Sequence, residues 1–185
     1  ADKSTGAQGA KHGITRTIED MDMAEGGVHT YIVVSDKPWV ERMIKERLLP
    51  GNWIFVKTVH DLWDAAHYYK PRYIFFLYWS YIVSKQMIDD YECVNFHATD
   101  LPFGRGGSPV QNLIAMGKQE THITAHRMTA EIDAGPIYAQ SFGRRMALHG
   151  LAEEIYLRAT EICFDLMQFI AGEEPEPFPQ EGEPT

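Results

Sequence analysis

The run "RYIFFLYW" at residues 72–79 decides the fold, because it is almost wholly apolar. A strand with one wet face alternates apolar and polar residues, whereas a strand covered on both faces reads as a continuous apolar run. Two shorter β-branched or aromatic runs lie upstream, "HTYIVVS" at 29–35 and "WIFVK" at 53–57. We therefore predict a central sheet that is buried between two layers of helices.

Segments with helical spacing or helix-capping residues separate these runs. In the first of them Pro38 stands near the start, and Val40, Ile44 and Leu48 recur at helical spacing. The predicted helices cover 37–49, 58–69, 85–91, 109–117 and 151–170, and the later predicted strands cover 93–98, 121–128 and 135–142. Strands and helices alternate through the fourth strand, which predicts a Rossmann-like α/β fold with a mostly parallel twisted sheet and helices on both faces.

The sequence divides into three parts. Residues 1–27 are poor in large apolar side chains and form an extension, with a short helix possible near Thr17–Met23. Residues 28–171 contain the periodic segments and make one domain. Residues 172–185, "GEEPEPFPQEGEPT", are rich in Pro and Glu and are expected to be extended or disordered.

Composition excludes several classes of protein. The net charge is −9, and no basic patch of the kind that binds a nucleic-acid backbone is present. The longest apolar run, 73–83, is too short to cross a membrane, and no secretory signal opens the sequence. Cys93 and Cys163 are expected to be buried free thiols, which fits a cytoplasmic location.

Polar side chains at the end of the fourth strand carry the chemistry. Asn95 and His97 are two apart on a strand, so they share one face. An amide donor can stabilise an oxyanion, and an imidazole can move a proton or do the same. Such an imidazole needs a carboxylate partner, for which Asp133 is a candidate and Glu131 and Asp100 are competitors. Equally, all of these residues could be ordinary turn or strand-end residues.

Two further patterns are weaker. The glycines of "GRGGSP" at 104–109 would suit a phosphate cradle, or a loop that merely covers the Asn/His pair. The run matches neither a P-loop nor a dinucleotide-binding fingerprint. His122 and His126 share a strand face, but no third ligand is evident, so we expect no metal.

The stretch from 95 to 140 resembles the signature of the folate-dependent formyltransferases. That pattern is Asn-x-His, a Leu-Pro-x-x-Arg-Gly loop, a helix-to-strand passage and Asp-x-Gly-Pro/Asp. The matching positions are Asn95, His97, Leu101–Pro102, Arg105–Gly106, Pro109, Gly117, Thr124, Asp133, Gly135 and Pro136. The usual Pro-Ser after the His is Ala98–Thr99 here, which could reshape the pocket without removing a catalytic position.

This resemblance implies formyl transfer from N10-formyltetrahydrofolate, without a metal, by a catalytic triad of Asn95, His97 and Asp133. It places folate contacts at Ser80, Tyr81, Val83, Thr129, Ala130, Glu131 and Ile132. It assigns the loop over the pocket to Leu101, Pro102, Arg105, Gly106 and Gly107.

The same resemblance also bears on the identity of the amine that accepts the formyl group. Glycinamide ribonucleotide formyltransferases carry Gly-Ser-Asn after the first strand, where this sequence reads "VVSDKPWVE" at 33–41. Methionyl-tRNA formyltransferases carry a basic C-terminal domain, whereas this sequence ends in an acidic tail. The closing "FPQEGEPT" at 178–185 resembles the Pro-Gln-x-Gly-x-x-Thr stretch that follows the catalytic core of sugar N-formyltransferases. We therefore expect a small-molecule amino sugar, nucleotide-linked or nonulosonic, with no nucleic acid or membrane partner. The alternative functions are formyl transfer to another amine, either methionyl-tRNA or glycinamide ribonucleotide, and hydrolysis of formyl-tetrahydrofolate. A homodimer is a possible assembly.

Overall fold

A six-stranded sheet forms the centre of the computed structural model, which describes residues 28–47, 49–141 and 143–184. The strands are β1 (Thr30–Val34), β2 (Asn52–Val56), β3 (Tyr73–Phe76), β4 (Cys93–His97), β5 (Glu120–Thr121), β6 (Thr124–Arg127), β7 (Ile137–Gln140) and β8 (Met146–Ala147). The helices are α1 (Pro38–Glu46), α2 (Val59–Tyr69), α3 (Lys85–Asp90), α4 (Pro109–Ala115) and α5 (Ala152–Glu173). The predicted helix at 17–23, Leu48 and Phe142 lie outside the described residues.

The sheet has the strand order β2-β1-β3-β4-β6-β7. The first four of its strands in chain order are parallel, and β6 and β7 add two antiparallel neighbours beyond β4. The prediction of a mostly parallel sheet is therefore confirmed. Each parallel pair needs a crossover connection, and the predicted helices supply these connections.

Apolar side chains of β1 divide between the two faces of the sheet. Tyr31 and Val33 belong to a cluster that α1, α4 and α5 cover, whereas Ile32 and Val34 belong to a second cluster under α2 and α3. Helices thus cover both faces, as predicted from the continuous apolar runs.

The two cysteines are buried free thiols, as predicted, and they lie on opposite faces of the sheet. Cys93 belongs to the α2–α3 side and Cys163 to the α5 side. Burial raises the pKa of the Cys93 thiol to about 12 and also raises the pKa of the Cys163 thiol. Neither cysteine therefore resembles an activated nucleophile, whose thiol pKa is lowered.

Several boundaries differ from the prediction. Strand β3 ends at Phe76, and Tyr78 then takes a left-handed backbone with φ of 53°. Strands β5 and β8 are two residues each and form a separate small sheet, which is too short for periodicity to reveal. Helix α4 begins at Pro109 as predicted but ends at Ala115, two residues before the predicted end, and the hydroxyl of its N-cap residue Ser108 makes no capping hydrogen bond.

Helix α5 continues through Gly172 to Glu173, beyond the predicted end at residue 170, and left-handed Glu174 closes it. The segment that follows is extended, and Phe178 pairs with Ile137. Within the described part of the chain, no helix combines the length and the hydropathy needed to cross a membrane.

Candidate active site

The carboxyl end of β4 presents Asn95 and His97 at the edge where four parallel strands finish. Residues 98–108 form the loop to α4, and Asp133 arrives from the turn between β6 and β7. The antiparallel register sets His126 directly opposite Asn95. Two strands, one loop and one turn therefore converge on a single point, which is the ligand-binding edge of an open α/β sheet.

Asp133 supplies the carboxylate that contacts both Asn95 and His97. Its Oδ2 lies 3.5 Å from His97 Nδ1, and its Oδ1 accepts from the Asn95 amide at 3.4 Å. His97 and Asp133 are both buried. Of the two competitors, Glu131 is exposed and pairs with Arg105, while Asp100 lies 3.9 Å from His122. The structure thus brings together the three residues that the family pattern selects.

The surroundings keep Asp133 ionised. Burial by itself raises its pKa, but four favourable interactions outweigh burial and hold that pKa below its usual range. They are the hydrogen bond with His126, the charges of His97 and His126, and the backbone N–H of Gly106, which donates to Oδ2 at 3.0 Å. A carboxylate held in this way can orient a neighbouring imidazole and stabilise its cationic form.

The glycine-containing loop closes directly over the imidazole. The carbonyl oxygen of Gly104 lies 2.6 Å from His97 Nε2, and Gly104 and Gly106 both have positive φ, 67° and 100°. The Gly106 N–H is directed at Asp133, so it does not face an open phosphate cradle. These contacts favour the covering role of the loop over the phosphate role.

Other residues of the predicted loop have structural positions. Leu101 is buried, and its peptide bond to Pro102 is cis. The Gly107 carbonyl accepts from the Asn112 side chain in α4. The bond between Asn112 and Gly107 ties the end of the covering segment to helix α4.

His126 is a buried site residue that the sequence did not single out for this role. Its Nε2 lies 3.3 Å from Asp133 Oδ1 and 3.5 Å from Asn95 Nδ2. Its spacing from His122 suggested only a shared strand face. In the structure His122 instead contacts Ser141 and Asp100, and no His/Cys/Asp/Glu group among the described residues is arranged to hold a metal ion. The strand register was the missing information.

Gln180 is a second residue that sequence analysis missed. Its side chain donates to the backbone carbonyls of Asp133 and Gly135 and accepts from Arg105. The acidic composition of the C-terminal segment hid this position, although the Pro-Gln-x-Gly match was a usable signal.

The predicted folate contacts lie on two loops. Ser80 and Tyr81 are exposed, as are residues 129–132. Val83 and Met128 pack against the same hydrophobic cluster, so the two loops border one side of the sheet. Beside the first loop is an apolar hollow lined by Val59, Leu62, Trp63, Trp79, Ile82, Val83, Ser84 and Met87.

A family model described as formyl transferase matches residues 55–160. The methionyl-tRNA formyltransferase of Campylobacter curvus (strain 525.92) is 36% identical over 133 residues, which are 65% of this chain and 44% of the relative. That of Sulfurovum sp. (strain NBC37-1) is 30% identical over 95 residues, 50% of this chain and 31% of the relative. The chain thus spans less than half the length of these curated relatives.

Solved structures share the fold. A methionyl-tRNA formyltransferase from Clostridium thermocellum superposes with a TM-score of 0.78 at 37% identity, covering 85% of this chain and 71% of that one. PseJ from Anoxybacillus kamchatkensis, a formyltransferase in complex with UDP-4,6-dideoxy-4-formamido-L-AltNAc and tetrahydrofolate, gives 0.60 at 16% identity, with 84% of each chain covered. The second likeness concerns the fold alone.

Proposed function

The chain belongs to the formyl transferase family, and from that premise we propose that it transfers a formyl group from N10-formyltetrahydrofolate to the amine of an amino sugar. The observation that carries the proposal is the meeting of Asn95, His97 and Asp133 at the carboxyl edge of the sheet. An amide, an imidazole and an ionised carboxylate are together the groups that acyl transfer to an amine needs.

The reaction forms a bond between the substrate nitrogen and the formyl carbon and breaks the bond from that carbon to folate N10. The amide of Asn95 stabilises the oxyanion on the formyl oxygen, and the protonated imidazole of His97 joins it when its Nε2–H turns from the Gly104 carbonyl to the substrate. Asp133 orients the imidazole and balances its charge. The imidazolium of His97, or a water molecule, gives a proton to N10, and the proton lost by the amine then replaces it, so atoms and charge balance.

The folate would supply the formyl group as an activated amide. Its pterin would lie against the loops at 80–83 and 129–132, next to the apolar hollow that Trp79 and Val83 line. An apolar hollow with backbone groups nearby suits a fused heterocycle such as a pterin, which needs both apolar contact area and hydrogen bonds. Those loops are the ones that the family resemblance assigns to folate.

An amino sugar is favoured as acceptor by the acidic chain and by the Pro-Gln-x-Gly segment. Binding to the phosphate backbone of tRNA needs a cluster of basic side chains. Among the described residues, Arg47 and Arg144 instead form ion pairs with Asp165, and Arg145 forms one with Glu120. Methionyl-tRNA is the second candidate, because the curated relatives carry that name. The lack of a basic domain in this sequence does not count against it, since the chain spans less than half of those relatives.

The test is an incubation of the purified protein with N10-formyltetrahydrofolate and separate amines. The panel contains amino-sugar nucleotides, free amino-nonulosonates and methionyl-tRNA. Folate release is followed by absorbance and the product by mass spectrometry, with His97→Ala as the inactive control.

Each outcome has one meaning. Folate release that requires an amino sugar supports the proposal, and release that requires methionyl-tRNA selects the second candidate. Release without any amine identifies a hydrolase. Folate binding without turnover in every mixture contradicts an enzymatic role.

A further inference from the structure

The C-terminal segment after α5 returns along the sheet to the candidate active site. The backbone N–H of Ile137 donates to the Phe178 carbonyl at 2.7 Å, and the Phe178 N–H donates back at 2.9 Å. This two-bond bridge fixes the segment beside β7. Gln180, two residues further along, is thereby delivered to the turn that contains Asp133.

The side chain of Gln180 uses its donors and its acceptor at once. Its amide nitrogen donates to the carbonyl oxygens of Asp133 at 2.8 Å and Gly135 at 2.9 Å. Its Oε1 accepts from Arg105 Nη2 at 2.8 Å and from Nε at 3.1 Å. Among side chains, only a primary amide presents two N–H donors beside a carbonyl acceptor, so this residue type fits both neighbours.

These bonds link two connecting segments of the site, the Asp133 turn and the covering loop. Asp133 has a φ of 51°, a left-handed conformation that is unfavourable for a residue with a Cβ and persists when neighbours fix it. Gln180 holds the carbonyl of that same residue. On the other side it holds Arg105, whose neighbour Gly106 donates its N–H to the Asp133 carboxylate. Both the backbone and the carboxylate of Asp133 therefore depend on this amide.

We propose that Gln180 is a positioning residue that fastens the covering loop to the Asp133 turn and so sets the carboxylate beside His97. Gln180 does not reach the reacting atoms, and its effect passes through Asp133 and Gly106. This inference rests on the proposed function for its kinetic consequence, but the placement of Asp133 can be measured without any substrate.

The kinetic test compares Gln180→Leu and Gln180→Glu with the wild-type protein. The Leu variant loses every bond, whereas the Glu variant keeps an acceptor for Arg105 but loses both donors to the turn. We expect kcat to fall on the order of 10- to 100-fold in both, with KM for the folate changed less than about threefold, because a misplaced group lowers turnover rather than binding. Glu181→Gln is the matched control, since Glu181 is the exposed neighbour on the same segment.

The substrate-free test follows the carboxyl carbon of Asp133 by ¹³C NMR as the pH is lowered. The groups that face this carboxylate are His97 and Asn95 from β4, His126 from β6 and the Gly106 N–H from the loop. In Gln180→Leu the Gly106 contact is loosened, so the pKa of Asp133 should rise toward its ordinary value. In Glu181→Gln it should stay where it is in the wild-type protein.

The outcomes separate the two proposals. If the wild-type protein transfers no formyl group but the Asp133 titration moves in Gln180→Leu, the proposed function fails and the positioning role stands. An unchanged titration in Gln180→Leu overturns the positioning role, as does an unchanged kcat in Gln180→Glu when the wild-type protein is active. Circular dichroism of each variant shows that the fold is retained, and the Glu variant covers the case in which Leu prevents folding.

Discussion

The carbonyl oxygen of Gly104 lies 2.6 Å from Nε2 of His97. A carbonyl can only accept, so Nε2 carries the hydrogen of this bond. The other ring nitrogen faces the Asp133 carboxylate, which also only accepts. The imidazolium form, with a hydrogen on each nitrogen, is the one that satisfies both neighbours.

This contact gives a spectroscopic prediction. In ¹⁵N-labelled protein without ligands, at neutral pH, His97 should show a protonated Nε2, because the Gly104 carbonyl is its partner. Long-range ¹H–¹⁵N correlation spectra of the imidazole ring measure this directly. A neutral ring with the hydrogen on Nδ1 alone would mean that the loop does not cover His97 in solution.

Replacement of His97 by Ala or of Asp133 by Asn should lower turnover by at least several hundred-fold. The first variant removes the oxyanion donor and proton carrier, and the second removes the negative charge that orients it. The measurement is amine-dependent folate release at saturating substrates. His149→Ala is the control, since His149 is exposed and outside the site; near-normal transfer by either site variant would falsify the triad.

His126→Phe should lower kcat by about tenfold, less than the 10²–10⁴ expected for a group that moves the proton itself. The ring retains the volume of a side chain that is 2% exposed, but Asp133 Oδ1 loses its 3.3 Å partner. His126→Gln restores a donor and should recover part of the rate. A matched His122→Phe change should leave kcat unaltered, and equal losses at both histidines would argue for a general packing effect.

Gly135→Ala should destabilise the fold by about 1–3 kcal/mol or more, because an added Cβ would lie 1.8 Å from the Arg127 carbonyl oxygen. The clashing atom belongs to the backbone of strand β6, which cannot move aside as the end of a flexible side chain could. Gly172→Ala is the matched change in helix α5, where an added Cβ meets nothing within 4 Å, and it should stabilise by about 0.5–1 kcal/mol. The urea concentration at the unfolding midpoint should therefore be lower than wild type for Gly135→Ala and higher than wild type for Gly172→Ala.

The depressed pKa of Asp133 predicts a specific pH dependence of stability. A group whose folded pKa lies below its unfolded value contributes stability that is present above the unfolded pKa, about 3.9, and lost as the pH falls through the folded pKa. The gap in unfolding free energy between the wild-type protein and Asp133→Asn should therefore persist down to about pH 4 and narrow below it. Urea titrations at a series of pH values measure the gap, and a gap that already closes well above pH 4 would contradict the assigned environment.

The sequence was sufficient for the layered architecture. Continuous apolar runs at β1, β2 and β3 predicted strands covered on both faces, and both hydrophobic clusters are present. The predicted end of α5 at residue 170 was three residues short, because Gly172, a residue type that commonly ends a helix, lies inside α5. The period of two along a strand was also enough to put Asn95 and His97 on one face.

By itself, then, the sequence determined the sheet, its helical layers, the Asn95–His97 pair and, through the family pattern, Asp133. The tertiary structure alone decided what surrounds that carboxylate, namely His126 from the adjacent antiparallel strand and Gln180 from the C-terminal segment. The physical reason is that backbone periodicity is local, whereas these encounters depend on strand register and on the path of the chain after α5. The Pro-Gln-x-Gly match drew attention to Gln180, but no spacing along the sequence encodes the contacts that either residue makes.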